Sequence, residues 1–184
     1  MSLFVIVTSR LGTVIMKNLE ITFALIKPHV LKNICALRKV HEEIKDNFII
    51  VRKKEILIDQ KLGSRFYEEH NRKFFYNRLL SFMCSGPSLA FILASENGIQ
   101  KWREMMGPTK VFRSVYEVPS SLRAKYGISD TRNACHGSDN LESVRREIAI
   151  FFPDFNPERW LRIITMFDQK MRHISYSLQK NYNS

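Results

Sequence analysis

Apolar residues along this chain follow two alternating periods, which predict strands and helices in turn. Short apolar or alternating β-branched runs bounded by proline, glycine or polar residues predict strands, and apolar positions three and four residues apart predict helices. Residues 110–121, which include Pro119, show neither period and predict an irregular segment. The predicted strands cover residues 22–27, 47–58, 89–94 and a short segment around Cys135. The predicted helices cover residues 34–44, 60–83 with a break near Arg72, 99–106 and 144–151.

The length and composition of the chain suit one folded domain with appendages. Of its 184 residues, 45% are apolar, which is ample for a core, and helices placed between strands predict an α/β sandwich. The longest apolar run is far shorter than the roughly 20 residues that a membrane-spanning helix needs, so we expect a soluble protein without a membrane span. Three cysteines without paired spacing predict neither a disulfide framework nor a zinc site.

Positive charge is in clear excess, because 29 lysines and arginines against 18 acidic residues give a net charge of +11. Such a balance favours anionic partners, namely nucleotides, nucleic acid or anionic lipid. The basic residues are scattered, however, and no basic stripe interleaved with aromatic residues is present. We therefore expect most of them to form a solvated face, and we do not expect nucleic acid to be a partner.

The chemistry that stands out lies in Asn133-Ala134-Cys135-His136-Gly137-Ser138-Asp139, and Glu147 follows the histidine by eleven residues. An imidazole can attack phosphorus when one ring nitrogen is unprotonated and the other is held by a hydrogen-bond partner. Gly137 has no side chain, so a phosphate could approach the ring closely. From spacing alone the alternative is a loop histidine satisfied by its neighbours. Cys135 is likewise either a reactive thiol or a small residue in a tight backbone site.

The motif Asn-x-x-His-Gly-Ser-Asp resembles the active-site signature of the nucleoside diphosphate kinases, which pass a phosphoryl group between nucleotides through a phosphohistidine. The resemblance runs from residue 21 to residue 160, and agreement at many separated positions is more specific than one motif. Trp102-Arg103-Glu104, Met106-Gly107-Pro108-Thr109 and Phe151-Phe152-Pro153-Asp154-Phe155 resemble the type 6 branch in particular. Other positions that recur in the family's order are Lys27-Pro28, Tyr67, Phe75, Ser85-Gly86-Pro87, Arg103, Thr109, Arg123 and Asn133.

The resemblance implies a fold and a reaction. The fold is a ferredoxin-like βαββαβ sandwich with a four-stranded antiparallel sheet, in a kinase domain over residues 21–160. The reaction takes nucleoside tri- and diphosphates as substrates, with Mg²⁺ arriving on their phosphates. The implied catalytic residues are His136, Glu147, Lys27, Tyr67 and Ser138. The implied substrate-binding residues are Lys27, Phe75, Arg103, Thr109, Arg123 and Asn133.

Each implied role suits the chemistry of its side chain. An ammonium at a strand end can reach a γ-phosphate, and guanidinium forks suit phosphate oxygens. Stacking on Phe75 would tolerate every base. Without the resemblance, the ordinary expectations would be surface ion pairs for the arginines, a solvated strand end for Lys27, and a place in the core for some of the aromatic residues.

Three features depart from the family pattern. His29 stands where an acidic residue usually follows Lys-Pro, the segment between Thr109 and Arg123 is three residues longer than in hexameric members, and residues 161–184 form a C-terminal tail. The alternative is therefore a weakly active or non-catalytic member that acts through a protein partner. An amphipathic helical stripe leading into the tail would fold back on its own domain or bind that partner. The stripe consists of Trp160, Ile163, Ile164, Phe167 and Met171.

Residues 1–20 precede the predicted kinase domain and bear on location. The first 19 residues contain no acid, include Arg10 and Lys17, and mix hydroxyl residues with apolar ones. These are features of a mitochondrial presequence, though two basic residues make a weak one. We expect a mitochondrial protein, and the alternative is an N-terminal extension on a cytoplasmic enzyme.

Overall fold

The computed structural model describes residues 19–166, which form a sheet with helices on both faces. The strands are β1 (Leu19–Ile26), β2 (Ile49–Leu57), β3 (Pro87–Glu96) and β4 (Cys135–Gly137). The helices are α1 (Pro28–Leu31), α2 (Ile34–Asn47), α3 (Gln60–Phe66), α4 (Tyr76–Met83), α5 (Gly98–Met106), α6 (Val111–Glu117), α7 (Leu122–Tyr126) and α8 (Leu141–Phe151). A single 3-10 turn at Glu68–His70 lies between α3 and α4. This turn is the break predicted near Arg72.

The sheet has the strand order β2-β3-β1-β4, and each neighbouring pair is antiparallel. β1 lies inside it and is apolar on both faces, as expected for a strand covered from both sides. The helices α2 and α5 connect the strands in the βαββαβ order. The prediction of a ferredoxin-like α/β sandwich with four antiparallel strands is therefore confirmed.

Alternate residues of β1 supply two separate cores, because successive side chains of a strand point to opposite faces. Phe23 and Leu25 pack with α3, α4 and α8 on one face. Ala24 and Ile26 pack with α2 and with Trp102 of α5 on the other face. Asparagine side chains cap two of these helices: Asn33 accepts from Ala36 N at the start of α2, and Asn140 accepts from Ser143 N at the start of α8.

The prediction of an irregular segment over residues 110–121 is wrong, because α6 lies within it. The helix is short, and side-chain contacts at both ends stabilise it. Arg113 makes two hydrogen bonds to Glu117 four residues on (2.7 and 2.9 Å), and Ser114 Oγ donates to the carbonyl of Pro108 (2.7 Å). Three large apolar residues of α6 are exposed: Phe112, Val115 and Tyr116.

Residues 157–166 are also helical, which agrees with the helix predicted from the apolar stripe. Trp160 and Leu161 pack against the core on the α8 face, whereas Ile163 is 54% exposed. Phe167 and Met171 of the stripe, like residues 1–18 of the predicted extension, lie outside the described residues. Across residues 19–166 no helix has the length and apolarity needed to cross a membrane.

Candidate active site

The centre of the site is His136, which β4 presents beside α8. β4 is held against β1 by pairing between His136 and Leu25. The Nε2 atom of His136 lies 2.9 Å from Oε1 of Glu147, and Ser138 Oγ donates to Oε2 of the same carboxylate at 2.5 Å. Glu147 is 2% exposed, so these contacts are made away from water. The predicted trio of His136, Glu147 and Ser138 is thus assembled by one strand, one turn and one helix.

The charge on Glu147 sets the tautomer of the neutral imidazole. Burial raises the pKa of this carboxyl, but the charge of His136, the hydrogen bonds from His136 and Ser138, and the charge of Arg146 together lower it below its ordinary value. An ionised carboxylate accepts a hydrogen bond, so Nε2 of His136 carries the proton. In the neutral ring the other nitrogen, Nδ1, then keeps its lone pair, which is the state a nucleophile needs.

Aromatic rings form an apolar wall around His136. The ring of Phe66 meets it edge-on at 4.8 Å between centroids, and those of Tyr67 and Phe23 lie at 6.3 and 6.2 Å. The hydroxyl of Tyr67 is buried and has no hydrogen-bond partner within residues 19–166. Burial, and next the charge of Glu147, raises the pKa of Tyr67, so this hydroxyl remains protonated and can donate.

Two buried cations flank the strand that carries His136. Lys27, at the end of β1, is 5% exposed, and its Nζ donates to the carbonyl of Thr131 at 3.1 Å. Burial, and next the charge of Arg123, lowers the pKa of Lys27 to about 7. Arg123 of α7 is 8% exposed and donates to the carbonyls of Gly107 (2.6 Å) and Cys135 (3.4 Å). Neither cation forms an ion pair with a carboxylate of the described part of the chain, so both are available to bind an anion.

Arg103 of α5, the third predicted phosphate ligand, is more open. Its guanidinium forms an ion pair with Asp139, the residue that follows Ser138. The two side chains are 42% and 72% exposed. An exposed pair of this kind is weakly stabilising, so an incoming phosphate can compete with Asp139 for Arg103.

The residues predicted to bind the nucleoside lie in two places. Asn133 Nδ2 donates to the carbonyl of Thr109 (3.0 Å), and its Oδ1 is buried without a partner among the described residues. Phe75 meets the ring of His70 at 5.6 Å, and His70 in turn stacks on Tyr67 at 6.2 Å. This series of rings connects Phe75 to the histidine site.

His29, which replaces the usual acid, is a half-buried neutral ring. Its Nε2 donates to the carbonyl of Tyr126 (3.2 Å), its Nδ1 is buried without a partner within residues 19–166, and its ring lies 5.6 Å from that of Phe82. Burial is the main cause that lowers the pKa of His29, and the charges of Lys27 and Arg132 lower it further, against the bond to Tyr126. The position therefore adds no negative charge near Lys27.

Two residues of the motif have structural explanations. A Cβ at Gly137 would meet the indole ring of Trp102, whose Nε1 donates to the carbonyl of His136 (3.2 Å). The glycine is thus needed for close packing of α5 on β4, rather than for the approach of a phosphate as its position suggested. Burial raises the pKa of Cys135 to about 11, although the charges of Arg123 and Lys27 oppose this shift. The thiol therefore stays protonated, which favours a small residue in a tight backbone site over a reactive thiol.

Comparison with known proteins identifies the family to which a chain with this site belongs. The family model described as nucleoside diphosphate kinase matches residues 20–156. The chain belongs to the nucleoside diphosphate kinase family. It is 50% identical to nucleoside diphosphate kinase 6 of Danio rerio over 145 residues, which is 79% of this chain and 83% of that protein. It is also 50% identical to nucleoside diphosphate kinase 6 of Homo sapiens over 143 residues, 77% of each chain, which places it in the type 6 branch.

A solved structure of the same family shares the fold. The nucleoside diphosphate kinase of Aquifex aeolicus superposes with a TM-score of 0.70 at 33% identity, over 73% of this chain and 95% of that one. The family identification and the observed fold therefore agree.

The site of this nucleoside diphosphate kinase family member also contains three side chains that the sequence did not single out. Asp139 lies inside the quoted motif, and Arg146 immediately precedes Glu147, so position alone was a signal for both. His70 gave no signal, since only the fold brings its ring between Tyr67 and Phe75.

Proposed function

We propose that this protein transfers the γ-phosphoryl group of a nucleoside triphosphate to a nucleoside diphosphate through a phosphohistidine on His136. The observation that carries the proposal is the hydrogen bond between Nε2 of His136 and the buried Glu147, because it leaves Nδ1 as the nucleophile. Membership of the nucleoside diphosphate kinase family supports the same reaction class.

The reaction has two balanced halves. In the first, the Nδ1 lone pair of His136 attacks the γ-phosphorus, the bond from that phosphorus to the β–γ bridging oxygen breaks, and the diphosphate leaves with the electron pair. In the second, a terminal oxygen of another diphosphate attacks the same phosphorus, and the bond to Nδ1 breaks. Glu147 stabilises the positive charge that the imidazole gains in between, and Ser138 fixes the carboxylate by its hydrogen bond.

Positive charge around the moving phosphoryl group comes from Lys27, Arg123 and Arg103 in this proposal. Phosphoryl transfer depends mainly on positioning and on stabilising the charge of the phosphate oxygens. Lys27 and Arg123 are buried and have no carboxylate partner among the described residues, which supports this role, since a buried cation without a counter-charge is otherwise unfavourable. Tyr67 would add a hydroxyl donor at the edge of the histidine ring.

The nucleoside would be held on both sides of the phosphates. The Oδ1 atom of Asn133, which has no partner within residues 19–166, can accept a hydrogen bond from a ribose hydroxyl, and the Thr109 segment is fixed beside it. Phe75 would stack on the base, and since stacking tolerates every base, the kinase would discriminate little between bases. In this proposal Mg²⁺ arrives on the nucleotide phosphates and keeps several of its waters.

Labelling with γ-labelled ATP tests the proposal. Purified protein should acquire an acid-labile, alkali-stable phosphoryl group, and that group should leave on addition of an unlabelled diphosphate. His136→Ala should abolish the label, whereas His41→Gln on α2, outside the site, should keep it. Label that survives in the His136→Ala variant, or no label in the parent protein, contradicts the proposed mechanism.

The second candidate function is that of a weakly active or non-catalytic member that acts through a protein partner. Two observations favour it: the neutral His29 in place of an acid, and the exposed apolar residues of α6 in the lengthened segment, Phe112, Val115 and Tyr116. Exposed apolar patches of this kind mark interaction sites. The labelling experiment separates the two candidates, because only the first requires a phosphohistidine in the protein alone.

A further inference from the structure

The guanidinium of Arg146 joins three parts of the candidate site. Its Nη1 donates to the carbonyl of Phe66 (3.2 Å), the last residue of α3. Its Nη2 lies 2.9 Å from Oε1 of Glu69 in the following turn and 3.7 Å from Oε1 of Glu147. One planar group therefore connects α8, the end of α3 and the carboxylate that holds His136.

The neighbouring Arg145 provides the contrast. Successive residues of a helix point about 100° apart, so Arg145 faces away from Glu147. It forms an ion pair with Glu158 (3.3 Å), and its side chain is 58% exposed, whereas that of Arg146 is 33% exposed. Two arginines side by side on α8 thus occupy different environments, and only one of them contacts the catalytic carboxylate.

Glu147 has few other sources of positive charge. Four groups surround this carboxylate. The imidazole of His136 comes from β4, and the hydroxyl of Ser138 comes from the turn that follows. The protonated hydroxyl of Tyr67 comes from the end of α3, and the guanidinium of Arg146 comes from α8 itself. Burial opposes ionisation of a carboxyl. Among these four groups Arg146 is the one with a permanent positive charge.

We propose that Arg146 is a positioning residue for the phosphorylation of His136. Its guanidinium keeps the Glu147 carboxylate charged and fixed, and ties it to the end of α3, where Tyr67 follows Phe66. The inference rests on the proposed function for its meaning in catalysis, but the contact with Glu147 has a direct consequence that does not require turnover. Loss of the cation must make Glu147 easier to protonate.

The test is a pH titration of the Glu147 side chain by NMR, on full-length protein with carbon-13 at the glutamate carboxyl carbons. The signal is assigned by its loss in Glu147→Gln. In Arg146→Gln the titration midpoint should move to higher pH by roughly half a unit to one unit. This is at or below the lower end of the range of about 1–3 units for a neighbouring opposite charge, because Arg146 is partly exposed. Arg146→Lys should restore most of the shift, and Arg145→Gln is the matched control that should leave the midpoint in place.

A second readout connects the titration to the reaction. The acid limb of His136 phosphorylation should move to higher pH in Arg146→Gln by the same amount, while Arg145→Gln should follow the parent profile. If the parent protein forms no phosphohistidine at any pH, the proposed function fails, yet the Glu147 titration still decides the role of Arg146. If Arg146→Gln titrates like Arg145→Gln, the inference is overturned even where the kinase reaction stands.

Folding of the variants is checked by near-ultraviolet circular dichroism. Should Arg146→Gln not fold, Arg146→Met gives the same test, because it also removes the cation while keeping an unbranched side chain. An unchanged Glu147 midpoint together with an unchanged phosphorylation rate in that variant would also overturn the inference.

Discussion

Replacing Lys27 by methionine should stabilise the folded protein while removing its activity. Lys27 is 5% exposed and has one hydrogen-bond partner within residues 19–166, the carbonyl of Thr131. A methionine has a similar length and no charge, so it fills the same space. The same change removes the flexible cation that we propose contacts the γ-phosphate.

The magnitude follows from the pKa of the buried ammonium, which burial lowers from 10.5 to about 7. At about 1.4 kcal/mol for each pKa unit, the ionised side chain destabilises the folded state by about 5 kcal/mol below pH 7. The variant leaves the Thr131 carbonyl unpaired, which costs about 1–3 kcal/mol. We therefore expect a net gain of about 2–4 kcal/mol, or roughly 4–16 °C in Tm.

The gain should depend on pH with a definite sign. Between pH 7 and 10.5 the unfolded chain binds a proton at Lys27 that the folded chain has released, so the stability of the parent protein rises with pH across this window. The advantage of Lys27→Met is then largest below about pH 7 and disappears toward pH 10.5. Comparing two proteins that differ at one residue cancels the titration of every group that Lys27 does not influence; the exceptions are groups such as His29 and Cys135, whose pKa values the charge of Lys27 lowers.

Urea unfolding followed by circular dichroism, from about pH 6 to about pH 10, measures this difference. Lys101→Met is the matched control, because Lys101 Nζ also donates to a backbone carbonyl, that of Asn47 (2.6 Å), but at an exposed position. The control should be no more stable than the parent protein at any pH. A Lys27→Met variant that is less stable below pH 7, or a gain that does not change with pH, refutes the reasoning.

Three further predictions concern catalysis, nucleotide binding and location. Glu147→Gln should slow phosphorylation of His136 by about 10²-fold with little change in nucleotide affinity, because the carboxylate orients the imidazole and does not bind the substrate. A loss of nucleotide affinity as large as the loss of rate, measured by calorimetry, contradicts this. Phe75→Ala should weaken binding of every nucleotide by about 1–3 kcal/mol, whereas the 94% exposed Phe74 should tolerate alanine; base-selective loss contradicts stacking. Residues 1–20 fused to a fluorescent reporter should direct it to mitochondria, and a diffuse cytosolic signal rejects this.

Most of the fold was predictable because the apolar residues of its core recur at the regular spacings of strands and helices. The buried strand at residues 22–27 and the helices around Val40 and Ile148 bury apolar residues at the expected spacing, and the structure confirms them. α6 was missed because its sequence is rich in β-branched and aromatic residues, which favour strands as much as helices. Its stability comes from Ser114 contacting Pro108 and from Arg113 contacting Glu117, of which only the second has a sequence signature.

The site contains contacts between distant elements that local sequence spacing does not predict. The trio of His136, Ser138 and Glu147 was predicted through the resemblance to the nucleoside diphosphate kinases, and the short strand followed by a helix is what brings the three side chains together. The ion pair of Arg103 with Asp139 was not, since it joins α5 to the turn after β4, and no spacing encodes it. The cause of Gly137 was misread for the same reason: the indole that requires it comes from a distant helix.

Within the described residues no acid pairs with the buried cations Lys27 and Arg123, and this affects both the stability of the free protein and its attraction for anions. A carboxylate at residue 29 would partly neutralise Lys27, but the neutral ring of His29 instead bonds the Tyr126 carbonyl and leaves that charge uncompensated. Within the described residues Lys27 and Arg123 therefore have only carbonyl oxygens and a sulfur atom as partners. Such an arrangement lowers the stability of the free protein and raises the electrostatic gain when an anion enters, because the phosphate removes an unfavourable state as well as forming new contacts. The stability that Lys27→Met should recover and the affinity for phosphate that it should lose are thus two measurements of the same uncompensated charge.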